Sequence, residues 1–269
     1  MRNRLLYGLM CFVAAVGFAG AYVHADDTVP ISKESGEAYN DGRKLFDEGK
    51  FSEAAVLFRN AVELDERNTA ALFAQGLALY RMKKYEDAVR VLNRLLDREP
   101  GHEKALRLLP TVLATLGQQD EALHAYDHGI SRFPDNYWFY YGKAKVYIGL
   151  GNNSEAAKAL EQAVERAPGL IELYETLASV YAAQGKMEKA FGTAQTILGK
   201  NPRNPRALVI SADYKRMTGR LEEALEDYRI AAESIETRAY AEHYIMEIRR
   251  TLEEREIEKE FEERTGQNN

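Results

Sequence analysis

One residue spacing constrains this chain more than any other property. From Ala54, steps of 34 residues meet Ala88, Ala122, Ala156, Ala190 and Ala224, a series without exception. Steps from Gly49 meet Lys83, Gly117, Gly151, Gly185 and Gly219. Steps from Glu66 meet Pro100, Pro134, Pro168, Pro202 and Glu236. A fourth series, Phe58, Leu92, Tyr126, Leu160, Ala194 and Tyr228, is apolar throughout. No insertion disturbs the register between residues 35 and 238. Several positions recurring together at one interval mark a chain made of copies of one supersecondary unit. A unit of that size cannot bury its apolar face alone, so neighbouring copies must stack.

Each recurring residue has a mechanical reason. Ala belongs where two helices cross closely, because a larger side chain would hold the backbones apart. Gly ends the first helix of a unit in a left-handed conformation without a Cβ penalty. Pro after the second helix stops its continuation. One residue into each second helix stand Ser52, Glu86, Asp120, Ser154, Glu188 and Glu222, which are expected to cap or favour that N-terminus. Apolar residues then recur at helical spacing, as in Leu57, Phe58, Ala61 and Val62. This grammar resembles the tetratricopeptide repeat family over six consecutive units: 35–68, 69–102, 103–136, 137–170, 171–204 and 205–238. The resemblance implies an all-α fold, a right-handed superhelical solenoid of antiparallel helix pairs.

Two positions depart from the pattern. Asp41 and Gly42 fall inside the first helix of the first unit. Pro110 stands where other units carry Gly42, Gly76, Ala144, Ala178 and Ala212, so a kink is expected over 103–116, either a tolerated bend or a hinge that widens the groove. Residues 26–34 read as a polar leader. Residues 239–252 read as an amphipathic capping helix turning Tyr240, Tyr244, Ile245, Ile248 and Leu252 toward the last unit. From Glu253 to Arg264, Glu, Arg and Lys dominate, which predicts a solvated helical extension fraying into 265–269.

The beginning of the chain is different in kind. Arg2 and Arg4 precede an uncharged apolar run from Leu5 to Val23, and Val23 and Ala25 supply the small or apolar exit positions of an export signal. Cleavage is expected after Ala25. An uncleaved anchor is the alternative, because nineteen apolar residues nearly span a bilayer. Cys11, inside the run, is the sole cysteine, so the exported chain would carry no thiol, no disulfide and no multi-cysteine zinc site. The periplasm is the expected compartment. A membrane anchor facing the periplasm and the endoplasmic reticulum lumen are the alternatives.

The formal charge of −6 argues against a general nucleic-acid binder. No phosphate-binding glycine loop, nucleophile elbow or His-Glu-x-x-His motif is present, so a non-enzymatic protein without a cofactor is expected. His124 and His128, four apart near Asp120 and Asp127, have a spacing a transition metal could use. Structural sites want about four protein ligands, and two exposed histidines without metal is the favoured reading.

In the family that the repeats resemble, positions 2, 5, 9 and 12 of each unit line a concave groove. The resemblance therefore implies a groove holding Gly36, Tyr39, Arg43 and Phe46, then Ala70, Phe73, Leu77 and Tyr80. It continues with Lys104, Arg107, Thr111 and Ala114, then Trp138, Tyr141, Lys145 and Ile148. Phe46 and Phe73 are expected to pack between units. The candidate binding residues are Tyr39, Arg43, Tyr80, Lys104, Arg107, Trp138, Tyr141 and Lys145, an aromatic and basic surface on an acidic protein. Tyr, Trp and Arg carry much of the energy of interfaces. In units five and six the same positions hold Glu172, Glu175, Ser179 and Ala182, then Arg206, Val209, Asp213 and Arg216. The expected partner is a protein segment bearing acidic and apolar side chains, bound by a scaffold or assembly factor of the cell envelope. A glycan- or polysaccharide-binding solenoid is the alternative.

Overall fold

The computed structural model describes residues 30–266. The export-signal reading of residues 1–25 lies outside the described residues. Among these, no helix is long and apolar enough to cross a membrane.

Thirteen helices follow one another among the described residues. They are α1 (Lys33–Asp47) with α2 (Phe51–Leu64), α3 (Thr69–Arg81) with α4 (Tyr85–Arg98), α5 (Glu103–Thr115) with α6 (Gln119–Arg132), and α7 (Tyr137–Gly149) with α8 (Asn153–Arg166). Then come α9 (Ile171–Ala183) with α10 (Met187–Lys200), α11 (Pro205–Met217) with α12 (Leu221–Ala231), and α13 (Arg238–Gly266). The fold is an all-α repeat solenoid ending in a helix. Within each pair the helices pack on each other, and the second helix packs on the first helix of the next pair. First helices also meet along the stack, α1 with α3, α3 with α5, α5 with α7 and α9 with α11, which puts them on the inside of the curve.

The crossing within each pair is as tight as the alanine series requires. Ala54, Ala88, Ala122, Ala156, Ala190 and Ala224 are all 0% exposed. The apolar series from Phe58 to Tyr228 is buried beside them. Gly42 is explained by the same crossing, because a Cβ there would lie 2.8 Å from the Phe58 ring. Pro110 occupies the equivalent position in α5, which continues without a break to Thr115 with the proline ring buried. The missing N–H does not end the helix.

The turns between paired helices depend on one left-handed residue each. Gly49, Gly117, Gly151, Gly185 and Gly219 have φ between 71° and 80°, and Lys83 takes φ 60° at the same place. The helix starts divide into two kinds. Ser32, Asn68, His102, Asn136 and Asn204 cap first helices by accepting backbone N–H bonds. The second helices start after Lys50, Lys84, Gln118, Asn152, Lys186 and Arg220, of which only Asn152 makes such a bond. Ser52, Glu86, Asp120, Ser154, Glu188 and Glu222 are therefore not caps. They are the second residues of their helices, where the acidic ones act through the helix dipole.

A further recurring tie was not apparent from the apolar series. Arg98 donates to the Glu66 carbonyl, Arg166 Nε to the Pro134 carbonyl at 2.5 Å, and Lys200 to the Pro168 carbonyl, each reaching back 32 residues. These cations satisfy carbonyls in the turns between neighbouring pairs. At the start of the stack, Asp65 performs a related task. Its carboxylate accepts from the Ser32 N–H at 2.8 Å and from the Arg67 guanidinium at 2.9 and 3.0 Å. The Arg67 side chain, followed by the Ser32 backbone N–H, holds this carboxyl well below the usual carboxylate range.

At the far end, α13 buries Ala241 and Ile248 against α12, with Tyr244, Ile245 and Leu252 partly covered. Tyr240 stays exposed and donates its hydroxyl to Asp213 at 3.0 Å. The helix then continues to Gly266, and every side chain from Glu253 to Arg264 is exposed.

Two outcomes test this account. A left-handed residue with a Cβ costs about 1–2 kcal/mol, so Lys83→Gly is expected to raise the unfolding free energy by about 1 kcal/mol, read as a higher urea midpoint. Asp65 has a depressed folded-state pKa, so its contribution is present above about pH 4, the ordinary carboxylate value, and is lost as pH falls below it. Asp65→Asn should lower stability at pH 7 and flatten the acid limb in urea titrations run from pH 7 to pH 3.

Candidate binding groove

The inner wall of first helices holds two adjoining concavities. One, of about 360 Å³, lies between α5 and α7, with Trp138, Tyr141, Lys145, Thr111 and Tyr126 among its lining residues. The next, of about 280 Å³, is lined by residues of α7, α9 and α11, including Ile148, Glu175, Ser179 and Arg206. Both are shallow and open along the solenoid, as a trough for an extended or helical segment must be.

The first concavity is built on an aromatic floor. Tyr126 is buried under α7, and its ring lies 5.9 Å from that of Trp138. Trp138 in turn stands edge-on to Phe139 at 5.8 Å. The close fit depends on Gly142, where a Cβ would come within 2.3 Å of the Tyr126 ring. Burial pushes the Tyr126 hydroxyl pKa up, and its oxygen lies 3.5 Å from that of Thr111.

Two cations lie over this aromatic surface. The Arg107 guanidinium sits 4.8 Å from the centre of the Trp138 ring, and Lys145 Nζ 5.6 Å from that of Tyr141. Both geometries fall within the range of a cation–π contact. Tyr141 donates to Glu172 at 2.8 Å, and burial, reinforced by that carboxylate, raises its pKa.

The remaining candidates lie further along the wall. Tyr39 is half-buried, 5.9 Å from Phe58, with Arg43 at 6.0 Å over its ring. Tyr80 rests beside Tyr85 at 5.9 Å, and Lys104 is exposed. None of these four lines either concavity. Phe46 packs on Phe51 at 5.0 Å, and Phe73 lies 5.3 Å from His102.

Charge is distributed unevenly along the wall. Arg43, Lys104, Arg107 and Lys145 have no carboxylate within 4.0 Å among the described residues. In the last two pairs the charges satisfy each other. Arg206 lies 3.7 Å from Glu175 and 2.5 Å from Glu236. Arg216 stacks over Tyr244 at 4.3 Å and approaches Glu247 at 3.7 Å. Asp213 accepts from Tyr228 and Tyr240, and burial pushes its carboxyl up.

Positions 2, 5, 9 and 12 do not describe the whole surface. Thr115, Gln119, Gly142, Val146, Thr176, Val180 and Ala183 also line the concavities. Most of these lie one residue beyond a groove position, because a trough is wider than one helical stripe. Gly142 carried a signal of its own, since an interior helical glycine marks a close approach. His124 and His128 are both exposed on α6. Among the described residues, no group of three or more His, Cys, Asp or Glu is placed to hold a metal.

Stacked helix pairs with an open inner trough define a helical-repeat protein of the interaction type. Models of the tetratricopeptide repeat family match residues 45–109 and 113–180, and again 175–241. The chain belongs to the tetratricopeptide repeat family. Among curated proteins, it is 34% identical over 99 residues to Protein O-mannosyl-transferase Tmtc3 of Drosophila melanogaster, covering 36% of this chain and 11% of that protein. It is 29% identical over 100 residues to the Hsp70-Hsp90 organizing protein of Triticum aestivum, covering 37% of this chain and 17% of that protein. The chain thus spans only a small part of either relative.

Solved structures resemble it over more of their length. MamA from Desulfovibrio magneticus RS-1 superposes with a TM-score of 0.57 at 19% identity, over 63% of this chain and 96% of that one. YrrB, a TPR protein with an unusual peptide-binding site, gives 0.57 at 18% identity, over 69% and 96%. The C-terminal part of a TPR repeat-containing protein from Cytophaga hutchinsonii gives 0.64 at 15% identity, over 72% and 78%. At these identities the likeness is one of fold.

Overpacking a tight contact typically costs about 1–3 kcal/mol. Gly142→Ala is therefore expected to lower stability by about that amount and to shift the emission of Trp138, the sole tryptophan. Urea unfolding followed by fluorescence checks both.

Proposed function

We propose that this protein is a non-enzymatic interaction scaffold of the cell envelope, built of six repeat units between residues 35 and 238. Its inner trough takes an acidic and apolar protein segment between α1 and α7. One observation carries the reading: four trough cations lack carboxylate partners among the described residues, and three of them lie over aromatic rings. A cation left in that setting gains most from an incoming carboxylate, while the ring beside it offers apolar contact to the neighbouring side chain. The last two pairs, whose charges are already matched, contribute shape rather than charge. The peptide-binding site of YrrB, on a similar fold, supports the assignment of a trough to a peptide. Delivery to the envelope rests on the basic, apolar and small-residue sequence of residues 1–25.

The test is titration of Trp138 fluorescence with peptides that alternate Glu with Phe or Leu. Binding is expected to weaken as salt rises. It should fall at least about tenfold in Arg107→Glu/Lys145→Glu, on the order of 1.4 kcal/mol. A signal from an anionic polysaccharide, with none from the peptides, would replace this reading with the glycan-binding one. Unchanged peptide affinity in the double variant would remove the trough from the account.

A further inference from the structure

The repeat spacing runs on into α13, which is the first helix of a further unit without its second. One step past Gly219, where the turn glycine would fall, stands Glu253, and the helix continues through it. In a first helix, positions 4, 8 and 11 of the unit share the face that its paired second helix covers. Position 8 is the small-residue series ending at Ala212, and a Cβ at Gly42 or Gly76 would meet side chains of the paired helix at 2.8 and 3.0 Å. Position 4 is buried as Leu72, Leu106, Tyr140 and Leu208, and position 11 as Leu113 and Tyr181. One step further, the same face of α13 carries Glu242, Met246 and Arg249, all three exposed, with Met246 at 66%. Among the described residues the chain supplies no helix to cross it. We propose that α13 of a second copy takes the place of the missing helix, antiparallel about a two-fold axis beside Met246.

Charge commits this face to a copy of itself. Glu242 and Arg249 lie at equal distances on either side of a point between Ile245 and Met246. Antiparallel pairing therefore sets each Glu242 beside the partner's Arg249 and brings the two Met246 side chains together at the centre. Parallel pairing would set like charges side by side. Neither group is engaged within the chain, since no ion pair joins Glu242 or Arg249 to another of the described residues. Their neighbours are taken: His243 lies 3.9 Å from Glu247, and Arg250 holds Glu254 at 2.8 Å. At the head of the stack, α1 matches its charges internally, Lys33 with Glu37 at 3.6 Å and Lys44 with Asp41 at 2.8 Å. Tail therefore meets tail rather than head. Burial of Ala241 and Ile248 against α12 holds α13 in place, so the face is preformed. One helix pair is a small interface of the transient kind, and its contact is isologous, so it closes at two copies. The particle then carries two troughs, and the association does not depend on what those troughs hold.

The experiment is sedimentation equilibrium of the full chain, where a reversible monomer–dimer equilibrium is expected. Glu242→Arg and Arg249→Glu should each raise the dimer dissociation constant at least about tenfold, because each sets like charges against one another. An equimolar mixture of these two variants should associate again, since each then meets its opposite. The double variant Glu242→Arg/Arg249→Glu should self-associate as the unaltered chain does. Both side chains are exposed, so the circular dichroism and urea midpoint of each variant should stay where they are. In a chain carrying Cys11→Ser, Met246→Cys should give a disulfide-linked species of two chain masses, whereas His124→Cys on the outer face of α6 should not. A chain that stays monomeric at every concentration, a dimer indifferent to both single reversals, or a mixture that fails to recover association would overturn the proposal. So would equal disulfide yields from positions 246 and 124.

Discussion

The structure depends on how closely two helices of a pair approach. The alanine series from Ala54 to Ala224 has no exposed surface in any copy. Facing it, the first helix carries Gly42, Gly76, Pro110, Ala144, Ala178 and Ala212, all buried. Small residues on both sides set a short interaxial distance, and the larger apolar series beside them fills the remaining space. Every later feature inherits that distance. Were the pairs wider apart, first helices could not meet along the inside of the stack, and the trough would have no continuous floor.

Repetition makes the backbone nearly uniform, so differences between copies carry individuality. The wall begins with cations facing aromatic rings and ends with charges that neutralise one another. Lys145 over Tyr141 and Arg206 against Glu175 show the change across neighbouring pairs. Only the first arrangement leaves electrostatic work for a ligand. On α13 the anchored half shares its tyrosines with Asp213 and Arg216, while the side chains from Glu253 to Arg264 are exposed.

Much of this was legible in the residues, and the reasons differ from feature to feature. The period, the left-handed turn at each Gly and the burial of each Ala follow from local steric rules that do not depend on distant partners. The ladder of Arg98, Arg166 and Lys200 onto turn carbonyls was also periodic. It was overlooked because an isolated Arg or Lys on a helix ordinarily reads as a solvated side chain. The residues one position into each second helix stand where the spacing puts them, and the acidic ones favour the N-terminus through the helix dipole rather than by capping it.

The sequence by itself determined the repeat period, the turn at each Gly and the close crossing at each Ala, because these rest on spacing and on the sizes of a few residues. Tertiary structure alone decided which inward residues form a surface. Trp138, Tyr126 and Gly142 come from two helices of different pairs, and their fit depends on a separation no linear pattern encodes. It also decided which charges are satisfied, since Arg206 and Arg107 are the same residue type on the same wall. Only the position of neighbouring carboxylates, set by packing between repeats, makes one a closed ion pair and leaves the other open.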